Sequence, residues 1–184
     1  MTGLRPSRTT RAAGIDEASF DALFRESVGD VHGYSLSLLG DAAAAEDVTA
    51  LAFERLYRAR GRVDPRRGSA RGLLFTIARN AALDELRRRR SGRIASEAAA
   101  ELLASEPVAG AEEDVARRES VRRALAALPL RDREIVLLKF HGQLSNGELA
   151  RALGISESNA GTRLSRALAK LREGELGVEG EEVA

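Results

Sequence analysis

The stretch Leu144-Ser-Asn-Gly-Glu-Leu-Ala-Arg-Ala-Leu-Gly-Ile-Ser-Glu-Ser-Asn-Ala-Gly-Thr-Arg-Leu-Ser-Arg166 decides how this chain is read. Ser145 and Glu148 stand at capping-box spacing: the hydroxyl accepts from the backbone N–H three residues on, and the carboxylate reaches back to the Ser145 amide. Leu149, Ala150 and Leu153 give the short helix that follows one packed face. Gly154 falls where the chain must turn sharply, at a positive φ that glycine adopts without strain. Ile155 plugs the angle between two helices, and Ser156 caps the second. Ala160 and Leu164 face inward there, and Leu168 and Leu171 continue the stripe. This order of cap, glycine turn and apolar positions is the spacing of a helix-turn-helix that reads DNA.

The outward face of the second helix then holds Ser158, Asn159, Thr162, Arg163 and Arg166. Asn and Arg make paired hydrogen bonds to base edges in the major groove, while Ser, Thr and further Arg hold phosphates. A helical hairpin in a protein–protein module has the same spacing and a merely solvated face.

Working back along the chain, every periodic segment is helical. Phe20, Leu23, Phe24, Ser27, Val28, Val31 and Tyr34 recur at i, i+3, i+4 until Gly40; Asp41 caps a stripe of Ala45, Val48, Ala52, Phe53, Leu56 and Tyr57. Asp64-Pro65 and Gly68-Ser69 mark a loop. Ser69 caps a third helix running through Leu74, Ile77 and Ala81 to Arg87–Arg90, ending at Ser91-Gly92. A further pair of stripes, Val121–Leu128 and Ile135–Phe140, precedes the helix-turn-helix. No segment alternates with period two. The expected fold is all-α: two small helical domains, 16–92 and 115–173, joined by a flexible linker at 93–114. Residues 1–15 form a disordered arm and 174–184 an acidic tail. With few apolar anchors in the linker, the two domains are expected to be loosely coupled.

The 184 residues carry 29 Lys+Arg against 28 Asp+Glu, a near-neutral balance that conceals strong asymmetry. Residues 58–93 are net +9 and 121–173 net +5, separated by 94–120 at net −5. Two separated basic blocks suggest two places of nucleic-acid contact. The absence of cysteine excludes a disulfide framework, a thiolate metal site and a thiol nucleophile. His32 and His141 stand in unrelated contexts, which argues against zinc hydrolysis and His-dependent triads. Adjacent carboxylates such as Glu46-Asp47 do not face each other on a helix. No catalytic residue, metal site, cofactor or small-molecule substrate is expected. No apolar run approaches a membrane span. The reading is a cytoplasmic chain, not itself membrane-embedded.

The stretch Asp64-Pro-Arg-Arg-Gly-Ser69, followed by Arg71, Arg79-Asn80, Asp84 and Arg87–Arg90, packs positive charge around one helix. Arg71, Arg79, Asn80, Asp84 and Arg87 are expected to share part of one exposed face. Beside a glycine-containing loop, such a face suits phosphate contact and capture of an unstacked base. Charge runs are also commonly solvated faces, and arginines at a helix C-terminus favour the macrodipole. Phe140 and Tyr57 read as core or domain-interface residues, and Phe75 lies beside the basic face.

Together these stretches, with Ala45-Glu-Asp-Val-Thr-Ala-Leu-Ala-Phe-Glu-Arg-Leu-Tyr57, Leu74-Phe-Thr-Ile-Ala-Arg-Asn80, Leu128-Pro129 and Arg133-Glu134, resemble the extracytoplasmic-function (ECF) sigma factors of bacterial RNA polymerase. The resemblance covers roughly 18–92 and 115–173, that family's regions 2 and 4. It implies transcription initiation, with core RNA polymerase and promoter DNA as partners and an anti-sigma factor as regulator. By the same resemblance Glu46, Asp47, Thr49, Phe53 and Arg55 dock core polymerase. Arg66, Arg67, Ser69, Arg71, Arg79, Asn80, Asp84, Arg87 and Arg88 read the −10 element, where a base is extruded from the melted duplex. Ser156, Ser158, Asn159, Thr162, Arg163 and Arg166 read the −35 element. The chain departs from the family pattern at Ala50, Leu51, Leu73, Ala160 and Gly161, the last costing about 1 kcal/mol of helix propensity. The alternative is a sigma-like decoy that sequesters an anti-sigma factor without binding promoter DNA.

Overall fold

The structure is a computed structural model that describes residues 14–64, 66, 68–95 and 112–179. Most of the expected arm and linker, the last residues of the tail and Arg67 lie outside the described residues. Seven α-helices account for the described chain, and the all-α expectation holds: α1 Glu17–Leu39, α2 Ala42–Ala59, α3 Ala70–Ala95, α4 Glu112–Ala127, α5 Leu130–Phe140, α6 Asn146–Leu153 and α7 Glu157–Glu179. Among the described residues, no helix is long and apolar enough to cross a membrane.

Short polar side chains set the helix starts by accepting from otherwise unpaired first-turn amides. Asp16 accepts from Ser19 N and Asp41 from Ala44 N, each at 2.8 Å, and Ser69 accepts from Gly72 N at 2.9 Å. Gly40, at φ 68°, ends α1 in the left-handed conformation, and its N–H returns to Leu36 O. A 3-10 turn, Arg60–Arg62, follows α2. Its Arg60 carbonyl accepts from Ile15 N at 2.9 Å, which ties the entry of the first domain to the exit of α2.

α1, α2 and α3 form one bundle around Val31, Tyr34, Leu38, Val48, Leu56, Leu74, Phe75 and Ala78. α5, α6 and α7 form the other around Ile135, Leu138, Leu144, Leu149, Ala160 and Ala167, with α4 laid against α7. Each fully buried Leu, Ile or Phe contributes about 1.5–3 kcal/mol by leaving water.

Several expectations are corrected. The bundles are not loosely coupled: α3 packs on α6 and α1 on α5, and the apolar core runs through both. Linker composition is silent on this, because the coupling comes from surfaces far from the linker in sequence. α3 continues to Ala95 instead of stopping at Ser91-Gly92, a glycine there costing about 1 kcal/mol against the many helix formers before it. Phe140 is 63% exposed at the end of α5 and is neither core nor interface. Tyr57 is partly exposed, its ring edge-on to Phe20 at 5.1 Å beneath the Arg60 guanidinium. Phe75 is fully buried against Tyr34.

Candidate nucleic-acid interface

The capping box before α6 is complete. Glu148 N donates to Ser145 Oγ at 3.3 Å, and Ser145 N donates to Glu148 Oε2 at 3.0 Å. Gly154 turns the chain at φ 67°, and Asn159 N donates to Ser156 Oγ at 3.2 Å to start α7. Ala160, Leu164 and Ala167 bury the inner face of α7. Ser156, Ser158, Asn159, Thr162 and Arg166 are consequently all exposed. The sixth residue, Arg163, differs. It is half-buried and folds back onto α5, donating to Arg131 O with its Nε 3.8 Å from Asp132. Lys170 also holds Asp132, at 2.6 Å. Arg163 therefore fixes the angle between α5 and α7 in this structure.

The face of α3 is divided. Asn80, Asp84, Arg87 and Arg88 are exposed, and Arg66 is exposed on the preceding loop, where its amide donates to Asp64 Oδ1 at 3.0 Å. Arg87 pairs with Asp84 and Arg88 with Glu85, both at 2.6 Å along the helix. Exposed pairs of this kind are worth little, so these arginines can release such partners at small cost. Arg71 and Arg79 do not join this face, which corrects the expected grouping. Arg71 donates to Ser27 Oγ at 2.8 Å and Asp30 Oδ2 at 2.6 Å on α1, and to the carbonyls of His141 and Gly142 at 2.8 Å each. Arg79 lies inside, its Nε 3.3 Å from Glu134 Oε1 on α5. Ser69 caps α3 and also donates to Glu148.

Glu148 is thus shared between its own capping box and the first domain. Burial raises its pKa, but hydrogen bonds from the Ser69 and Ser145 hydroxyls and backbones outweigh burial and bring it down to about 2. Tyr34 is pushed far up by burial and by the neighbouring Glu134 charge.

On α2, Glu46, Asp47 and Arg55 are exposed, whereas Thr49 and Phe53 are buried. Thr49 donates to Ala45 O at 2.7 Å, and Phe53 meets Phe20 and Phe24 edge-on. These two shape the helix surface from beneath, because period 3.6 turns them toward α1. An open depression of about 270 Å³ separates α2 from α3, lined by Asp47, Leu51 and Arg55 on one side and Asp84 and Arg88 on the other. The residues expected to dock polymerase and to touch DNA thus share one rim. Sequence reading assigned no role to Asp30, Glu134, His141, Glu148 or Arg151 at the junction between the bundles. Their partners are 41 to 79 residues away in the chain where hydrogen-bonded, beyond the reach of periodicity.

Residues 23–92 match the family model described as Sigma-70 region 2, and residues 118–171 match Sigma-70, region 4. The chain is 32% identical over 169 residues to the ECF RNA polymerase sigma factor SigL of Mycobacterium tuberculosis, covering 90% of this chain and 94% of that one. It is 28% identical over 170 residues to the ECF RNA polymerase sigma factor SigK of Mycobacterium bovis, covering 88% of each. Its fold is similar to that of the sigma factor RpoE, solved in complex with the anti-sigma factor NepR from Bartonella quintana. That match has a TM-score of 0.72 at 22% identity, over 84% of this chain and 95% of the other. A second likeness is to CnrH in complex with the cytosolic domain of CnrY, with a TM-score of 0.62 at 25% identity, over 86% and 88%. With both domain models matched in order and a relative aligned over nearly its whole length, the chain belongs to the ECF sigma factors of the sigma-70 family.

Proposed function

We propose that this sigma factor binds core RNA polymerase through the exposed edge of α2 and directs it to promoters carrying −35 and −10 elements. The observation that carries this reading is the presence, in one chain, of two different exposed polar surfaces. One is a capped helix-turn-helix exposing Ser158, Asn159, Thr162 and Arg166; the other is a basic α3 exposing Asn80, Arg87 and Arg88. The first suits groove readout of a duplex and the second suits a single strand.

In this reading residues 16–92 serve core and −10 binding, and 115–173 serve −35 binding. Glu46, Asp47 and Arg55 touch core polymerase, with Thr49 and Phe53 supporting them. Arg66, Arg67, Ser69, Arg71, Arg79, Asn80, Asp84, Arg87 and Arg88 serve the −10 strand. Ser156, Ser158, Asn159, Thr162, Arg163 and Arg166 serve the −35 duplex. The chain works in the cytoplasm, where polymerase is, and contributes binding energy and strand separation without chemistry of its own. An anti-sigma factor is its regulatory partner, supported by the similar sigma factor solved in complex with one.

Run-off transcription tests this. The purified chain is added to sigma-free core polymerase with a library of random promoter fragments. Transcripts sharing two upstream elements are expected. No transcripts, with core binding also absent, would overturn the reading in favour of a decoy.

A further inference from the structure

Asn159, Arg163, Arg166 and Lys170 follow one another along α7 at i+4, i+3 and i+4 spacing, which sets them in one row on the helix. Asn159 and Arg166 face solvent. The alternate members, Arg163 and Lys170, are drawn aside by a single carboxylate. Lys170 Nζ donates to Asp132 Oδ2 at 2.6 Å. Arg163 Nε lies 3.8 Å from Asp132 Oδ1, and its Nη2 donates to the Arg131 carbonyl. Asp132 stands in the first turn of α5, and its side chain is only 18% exposed. One shielded acid thus gathers two of the four residues in the row.

A carboxylate that accepts from both cations occupies them as a phosphate oxygen would. We propose that Asp132 is a specificity-determining residue: it withholds Arg163 and Lys170 from the phosphate backbone and so holds down binding to non-cognate duplex. This deepens the −35 reading of α7 and rests on it. Non-specific binding comes almost wholly from phosphate contacts, whereas cognate binding also draws on base contacts. Withholding two cations takes the larger share from the first and raises the ratio between them. The row also adds Lys170, one helical repeat beyond Arg163, to the residues of α7 that meet DNA once released.

The two pairs are unequal. The Lys170 side chain is half exposed, so solvent screens its pair and the hold is weak. Arg163 is more shielded and is bonded to a carbonyl besides, which makes it the firmer of the two. Lys170 is therefore the first to be released. Asp132 also braces α5 against α7, and an acid in a first turn suits the helix dipole. Bracing alone and withholding differ in sign. If the carboxylate only braces, its loss loosens the reading helix and weakens duplex binding; if it withholds, its loss strengthens binding to any duplex.

Asp132→Asn removes the charge at nearly constant shape and alters no residue assigned to DNA or polymerase. The full-length chain is titrated against a dye-labelled, mixed-sequence duplex over a series of salt concentrations, with anisotropy as the readout. Binding to this non-cognate duplex is expected to tighten about tenfold near physiological salt. The slope of log K against log salt is expected to steepen by about 1 to 2, since each released cation contributes about 0.9. A double-mutant cycle separates release from the mere loss of one negative charge. Lys170→Gln is expected to weaken binding at least about threefold more in the Asp132→Asn background than in the unaltered chain. Circular dichroism checks folding, and Asp132→Ser is a second variant with the same expected direction. Weaker or unchanged binding in the folded variants, or a gain that Lys170→Gln leaves untouched, would overturn the role of Asp132. Salt-dependent binding by the unaltered chain with no gain in the variants removes this inference alone. Absence of salt-dependent duplex binding in every protein would sink the −35 reading of α7 together with it.

Discussion

Arg71 Nε donates to the Gly142 carbonyl at 2.8 Å, so a side chain of region 2 terminates the turn between the two helices of region 4 that precede the DNA reader. Its other nitrogens reach Ser27, Asp30 and His141 O, which makes one guanidinium the joint of α1, α3 and the α5–α6 turn. Only a planar fork with fixed donors spans these acceptors; an ammonium at one point cannot. Arg71→Lys is therefore expected to cost the free chain about 2–3 kcal/mol, the range of hydrogen bonds to charged groups. Urea unfolding measures it, and a loss under about 0.5 kcal/mol, typical of a neutral surface change, would show the joint to be idle.

Phe53 and Arg55 separate folding from docking. Phe53 is 5% exposed beneath Phe20 and Phe24, so Phe53→Ala is expected to lose about 3–5 kcal/mol of stability and to lose transcription with it. Arg55 is exposed on the rim shared with Asp84 and Arg88. Arg55→Glu is expected to leave the thermal midpoint within about 2 °C of the parent, as a surface change does, while weakening core polymerase binding at least about tenfold. Equal core affinity for Arg55→Glu and the parent would remove this edge of α2 from the docking surface.

What was legible in the sequence is what local rules write. Capping by Asp41, Ser69, Ser145 and Ser156, the turn at Gly154 and the inward stripe of Ala160 and Leu164 all follow from neighbours within four residues. The exposed face of α7 followed from the same period, apart from Arg163, which folds back onto α5. The division of the α3 face did not. Arg71, Arg79 and Asn80 share a charge pattern, and nothing within a helix turn says that two of them answer to Gly142 and Glu134. Gly33 and Gly72 likewise read as indifferent positions inside helices. Their meaning lies in what region 4 places opposite them.

Gly161 sits in the second turn of α7, the helix proposed to read the −35 element, where glycine is a poor helix former. A β-carbon there would meet nothing nearer than Asn146 Nδ2, at 3.6 Å, an ordinary contact. Gly161→Ala is expected to stabilise region 4 by about 1 kcal/mol through helix propensity. Firmer placement of Asn159 and Thr162 should tighten −35 duplex binding several-fold. Calorimetry and anisotropy read the two effects, and a stabilised variant with weaker duplex binding would mean that the reader needs its flexibility.

The contact that α5 makes with α1 should open in mild acid, and the responsible group is His141. Its ring lies against the α1 backbone at Gly33. Burial lowers its pKa, opposed by the Asp30 carboxylate on α1, while Arg71 of α3 bonds its carbonyl and not its ring. In the open state the imidazole returns to its ordinary value of about 6.5. The open form then binds the proton more tightly. Closure is consequently flat above about pH 7.5, weakens as pH falls through 6.5, and levels off once pH passes below the depressed closed-state value. Glu148 cannot mimic this, since a carboxyl held near 2 stays ionised throughout that window. The sequence has no cysteine, so Arg58→Cys and Arg172→Cys carry a dye pair, and energy transfer between them should broaden between about pH 7 and 5.5. The step should vanish in His141→Gln, which keeps the polar ring's bulk in part and has no proton to gain. An undiminished step in that variant would assign the acid response to another group and exclude His141 as its sensor.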